Sequence, residues 1–186
     1  DWEPYALEML ASVLDGGASA RFSRELVRGE RIAASAGAGY NAFSRLPGLF
    51  RLSGTPAKGH NVDELEAALL EQIERVRTEL VAEDELERIR TQLIAGKVYE
   101  KDSVFYQAMQ LGQLETVGLG WELVDSYVDA LSAVTPEQIR SVAREYLVPE
   151  VRTVARLDPQ PLDDDGNGEP RRADNSNAAG ALADAR

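Results

Sequence analysis

Metal-assisted hydrolysis needs ligands, and this chain is short of them. Its 186 residues include one histidine, His60, and no cysteine. A catalytic zinc is held by three side chains drawn from His, Asp, Glu and Cys, with a further position open to water. His60 stands in His60-Asn61-Val62-Asp63-Glu64, where carboxylates are at hand but a second imidazole is missing. Such a set suits a weakly held hard cation, not a hydrolytic zinc. The sequence therefore reads His60 as a loop residue just ahead of a helix cap. Without cysteine there is no disulfide, thiolate metal site or thiol nucleophile. The compartment stays open between cytoplasm and periplasm. Ser19, Ser23 and Ser35 have only His60 as a base, and no strained nucleophile elbow surrounds them. No catalytic residue and no metal ligand is assigned.

Other polar features resolve into structure. Ala36-Gly37-Ala38-Gly39 lacks the Lys-Ser/Thr of a phosphate loop and reads as a closely packed strand. Glu83-Asp84-Glu85 falls where a helix begins and complements its dipole. Asp163-Asp164-Asp165-Gly166-Asn167-Gly168 lacks the bidentate Glu that closes a calcium loop. Trp121 and Tyr127 read as core anchors of one helix. The formal net charge of −12 argues against nucleic acid, whose phosphates call for clustered Lys and Arg.

The elements that must carry these residues follow from periodicity. Leu7, Leu10, Ala11 and Leu14 share a helical face between Pro4 and Leu14, ended by Gly16-Gly17. A short helix follows, with Ser19 as its N-cap and Phe22 and Leu26 inward. Strands are predicted over 32–42 and 49–55, joined as an antiparallel hairpin through Ser44-Arg45-Leu46-Pro47-Gly48. Asn61 and Glu64 form a capping box for a helix with Val62, Leu65, Leu69, Ile73, Val76 and Leu80 inward. Further helices start near Glu83 (Leu86, Ile89 and Leu93 inward), Asp102 (carrying Phe105, Met109, Leu111 and Leu114) and Trp121. Thr135-Pro136-Glu137-Gln138 caps a last one, with Ile139, Val142, Ala143 and Tyr146 inward. Residues 151–157 alternate as one more strand. Residues 1–159 are taken as one α+β domain, a mostly antiparallel sheet covered by helices. Residues 160–186 are taken as an acidic, disordered tail. Three strands make a thin sheet, and the chain opens on Asp1-Trp2 without Met, so a fragment truncated at its N-terminus is expected.

Four stretches carry a resemblance: LASVLDGGASARFSREL (10–26), RGERIAASAGAGY (28–40), LFRLSGTP (49–56) and the helix pair 63–93 with Glu83, Leu86 and Gln92. Together they resemble the C-terminal half of pitrilysin/insulinase-type zinc metallopeptidases, over roughly residues 5–157. That resemblance implies one half of a clamshell, with zinc held in a missing N-terminal half on an inverted His-x-x-Glu-His signature. It implies a non-catalytic half that encloses a peptide substrate opposite the zinc, with no cofactor in this chain. The implied partners are the zinc-binding half, the peptide and a homologous subunit. A binding or scaffold subunit of an inactive peptidase-like protein is the alternative. The family's second half often lends an Arg and a Tyr seven residues apart to the developing oxyanion. In register those positions hold Val27 and Ala34. Arg28, one step away, and Tyr40, at the end of the strand, remain as substrate-facing candidates.

Overall fold

The computed structural model describes residues 1–100 and 102–158. The predicted tail over 160–186 lies outside the described residues. Asp1–Val154 form one compact unit, and of a second, Ala155–Arg186, only 155–158 are described, without regular structure.

Helix α1 (Glu3–Asp15) starts with Pro4 in its first turn, where no backbone donor is lost. Leu7, Leu10, Ala11 and Leu14 are buried as their spacing demands, but so are Ala6, Met9 and Val13. A helix apolar on nearly every side has to be a central one. It packs against the first strand, three later helices and the turn that follows it. Gly16 closes it by donating to the Ser12 carbonyl at 2.7 Å. A Cβ there would stand 2.3 Å from that carbonyl oxygen, so a side chain cannot be fitted without moving backbone.

The second short helix differs from expectation. Ser19 caps nothing; the segment Phe22–Gly29 is π-helical and begins at Arg21 without a side-chain cap. Its wide turns show in the bond from Glu30 N–H to the Glu25 carbonyl at 2.7 Å, five residues back. Phe22 and Leu26 are nonetheless buried. Arg31, between this helix and the first strand, has φ +60°.

Strands β1 (Ala33–Gly39) and β2 (Arg51–Pro56) pair antiparallel, with Ala36 opposite Gly54 and a register shift between Ala33 and Ser35. A Cβ on Gly54 would stand 2.9 Å from Leu65 Cδ2 and 3.3 Å from the Ser35 carbonyl oxygen, so a side chain there would push Leu65 aside. The sheet has two strands among the described residues, not three. Residues 151–157 are not a strand: Pro149–Val151 form a 3-10 turn, and 152–158 are irregular and exposed. Alternation alone does not hold a strand in place; a partner ladder does, and none reaches this stretch among the described residues.

Helix α2 (Val62–Thr78) carries both bonds of the predicted capping box: Glu64 N–H donates to Asn61 Oδ1 at 2.9 Å, and Asn61 N–H to Glu64 Oε2 at 3.3 Å. Leu65, Leu69, Ile73 and Val76 are buried, whereas Val62 in the first turn and Leu80 beyond the end are exposed. Then come α3 (Glu83–Glu100), α4 (Val104–Val117), α5 (Leu123–Ser132) and α6 (Pro136–Tyr146). The Thr135 box of α6 forms as predicted, and Ile139, Val142 and Ala143 enter the core while Tyr146 stays half out. Helix α4 departs most: of its apolar residues only Leu114 is buried. Helices from α1 to α6 thus back a small antiparallel ribbon, an α+β arrangement.

Candidate functional site

The π-helix ends in Val27-Arg28, and β1 carries Ala34 near its start and Tyr40 just past its end. Val27 packs on the core and Ala34 is exposed. Neither offers charge or a hydroxyl to a substrate. Arg28 is exposed, and its guanidinium donates to the Ala18 carbonyl and, at 3.3 Å, to the Ser23 carbonyl. It therefore ties the π-helix to the turn after α1. Tyr40 is half-buried at the opposite end of β1. Burial, then the nearby Glu3 and Glu8 carboxylates, holds its hydroxyl above the usual tyrosine range. Seven residues of extended strand span about 20 Å, so Arg28 and Tyr40 do not converge on one atom.

Tyr40 adjoins a cluster that sequence reasoning missed. The Tyr127 hydroxyl of α5 donates to Glu8 Oε1 of α1, across 119 residues. Lys97 Nζ of α3 lies 5.3 Å from the Tyr127 ring centroid and pairs with Glu100 at 3.0 Å. Tyr5 and Phe43 flank the same ring at 5.7 and 5.0 Å. Burial raises the Glu8 carboxyl above its ordinary range, against the Tyr127 hydrogen bond and Lys97, which lower it. Its Oε2 is buried with no hydrogen-bond partner. Beside this cluster, Asp1, Pro4, Tyr5, Ala42, Phe43, Leu119 and Leu123 line a recess of about 220 Å³. Glu8 stands two residues from buried Ala6 and beside buried Leu7 and Met9, with nothing local to signal a partner so far along the chain.

A second network fixes the π-helix. Arg21 Nε and Nη2 donate to Glu85 of α3 at 3.1 and 2.8 Å, a buried two-pronged pair. Glu25 accepts from Arg24, Gln72 and Arg75 at 2.6, 2.8 and 2.5 Å. Burial pushes the Glu25 carboxyl up, but these three bonds outweigh it and hold it below the usual carboxylate range. Glu85 lies in the first turn of α3, as its place at the helix start predicts, and its carboxylate also turns inward to Arg21.

No zinc site fits these residues. His60 Nδ1 meets Glu64 Oε2 at 2.8 Å on the surface, one turn apart on the chain. That bond, then the Asn61 N–H, lowers the Glu64 carboxyl. Two ligands, one already occupied by the other, are too few, and among the described residues no group of three or more His, Asp or Glu comes together.

Residues 1–93 match the family model described as the Peptidase M16 inactive domain. The chain belongs to this family. Solved structures share the fold. One is the inactive peptidase domain of a candidate zinc protease from Bordetella parapertussis, at 21% identity and TM-score 0.76, covering 94% of this chain and 88% of that one. A candidate zinc protease from Bordetella pertussis Tohama I follows at 21% and 0.73, covering 86% and 87%. A protease from Helicobacter pylori matches at 21% and 0.68, covering 78% of this chain; the chain spans 35% of that protein's length. No curated protein sequence matches this one. As a Peptidase M16 inactive domain, the chain carries one histidine and no cysteine.

Proposed function

We propose that this domain is the non-catalytic wall of a zinc-dependent endopeptidase, enclosing a peptide opposite a zinc held by an N-terminal half. Membership in the M16 inactive-domain family carries the reading. The ligand inventory supports it, since the chain's one histidine is bound to Glu64 at the surface. The wall acts without covalent chemistry. It excludes water from the cut site and lets in only chains extended enough to enter a closed chamber.

Within that wall, Arg28 and Tyr40 are assigned to the substrate side as separate contacts. Arg28 supplies exposed positive charge beside the π-helix. Tyr40 supplies a hydroxyl kept neutral by burial and by the acids near it. Val27 and Ala34 leave the oxyanion without the usual pair, which favours enclosure over direct assistance and keeps the scaffold-subunit reading as the alternative. Peptide turnover by the isolated chain with added zinc, and again with a zinc-bearing M16 half, tests the proposal. Turnover only in the mixture is expected; hydrolysis by the chain alone defeats it, and a mixture no faster than the zinc half alone favours the scaffold.

A further inference from the structure

The stretch 31–62 holds four Lys/Arg residues and no Asp or Glu, whereas the other 154 residues hold 16 and 32. The net charge of −12 therefore conceals a segment of +4 on a body of −16. That segment is β1, β2 and their connection, bounded in sequence by Glu30 and Asp63. Arg31, Arg45, Arg51 and Lys58 are all exposed, and none has an ion-pair or side-chain hydrogen-bond partner among the described residues. Unneutralised cations on an otherwise acidic surface make this ribbon the place where an anion is drawn in.

The hairpin sets its cations at two ends. The Ala57 N–H donates to the Ile32 carbonyl at 2.8 Å, which brings the next residues, Arg31 and Lys58, to the open end. Arg51 pairs with Gly39 at the opposite end, beside the connection that carries Arg45. Between the ends run the five residue steps of Arg51–Pro56, about 17 Å of strand. Leu52 packs on the core, so alternation turns Arg51, Ser53 and Thr55 outward, and all three are exposed. Their partners across the ladder are Gly39, Gly37 and Ser35. Side chains between the cations are thus small, and a main chain can lie close to that face. One carboxylate reaches the ribbon, Asp15 at β1, where it accepts from Ala38 N–H at 3.3 Å.

We infer that this ribbon selects the enclosed peptide by charge: it takes an extended, acidic peptide with carboxylates five or six residues apart, one set held by Arg31 and Lys58, the other by Arg45 and Arg51. The inference rests on the enclosing-wall reading and adds a substrate class to it. The spacing follows from the strand, since an extended chain covers about 17 Å in five steps. Nucleic acid fits less well. Its charge every ~1.7 Å calls for a continuous cationic track, and the acidic body repels such a polyanion.

Fluorescence anisotropy with the full chain alone tests this, using labelled Gly/Ser peptides of about twelve residues. One carries a Glu pair near each end, one has both pairs merged at its centre, and one has Lys in place of Glu. At low salt the end-paired Glu peptide should bind at least tenfold tighter than the Lys peptide and several-fold tighter than the merged one. Most of that affinity should vanish at about 0.5 M salt, where exposed charges are screened. Arg31→Gln with Lys58→Gln, and Arg45→Gln with Arg51→Gln, should each weaken binding about five- to tenfold, as loss of two exposed ion pairs would. Arg152→Gln, exposed and outside the hairpin, removes one charge and should change binding less than twofold. All these positions are exposed, so circular dichroism and melting should stay those of the parent chain. Equal binding of the Glu and Lys peptides overturns the inference, as does a preference that neither double variant weakens. Tighter capture of single-stranded DNA or anionic lipid vesicles by the same four residues overturns it too. Turnover by the mixed halves without any charge preference sinks this inference and leaves the wall standing; charge-selective binding without turnover in the mixture keeps the ribbon's partner and sinks the wall.

Discussion

The Arg21–Glu85 pair gives the sharpest test of how this fold is held. Its side chains are 6% and 11% exposed, and the two bonds at 3.1 and 2.8 Å match the fork of a guanidinium to a carboxylate. Removing one partner strands the other charge in the core, which costs about 3–5 kcal/mol. In a unit of this size that lowers Tm by roughly 6–20 °C, taking ~2–4 °C per kcal/mol. Glu85→Ala and Arg21→Ala should each show this loss in urea unfolding with an unchanged m-value. Arg21 Nη1 is already buried without a partner, so the pair carries a cost that its two bonds do not recover. Replacing both residues, as Arg21→Met with Glu85→Leu, should therefore restore parental stability or exceed it. Single substitutions costing under about 1 kcal/mol, or a double variant as unstable as the worse single one, would refute the reasoning.

Three further outcomes follow from the same geometry. Glu8 has a folded pKa above its unfolded one, so ionising it costs stability as pH rises from the unfolded value through the folded one. Glu8→Gln should stabilise the domain at pH 7, with the gain vanishing below about pH 4 in thermal melts taken across pH. Glu25 is the opposite case: its folded pKa is lowered, so its contribution is present above the unfolded value and is lost as pH falls through the folded one. Glu25→Gln should cost roughly 1 kcal/mol at neutral pH and nothing in acid, by urea titration. Thr135→Ala removes the acceptor for Gln138 N–H at 3.3 Å and should cost about 1 kcal/mol; Thr135→Ser should recover most of it.

Sequence alone determined whatever depends on neighbours a few residues apart. The capping boxes of Asn61 with Glu64 and Thr135 with Gln138, the helix spans and the hairpin of β1 and β2 are of that kind, because caps and periodic faces are satisfied locally. The ligand inventory is of that kind too, since a chain with one histidine and no cysteine lacks those donors in any fold. Tertiary structure decided the rest. Only packing could show that α1 is buried on nearly all sides, that α4 is not, and that residues 151–157 find no ladder. Glu8 with Tyr127, 119 residues apart, and Arg21 with Glu85, 64 apart, carry no local signal of their pairing. A buried charge is tolerated only where the fold brings its partner, and sequence spacing does not encode that distance.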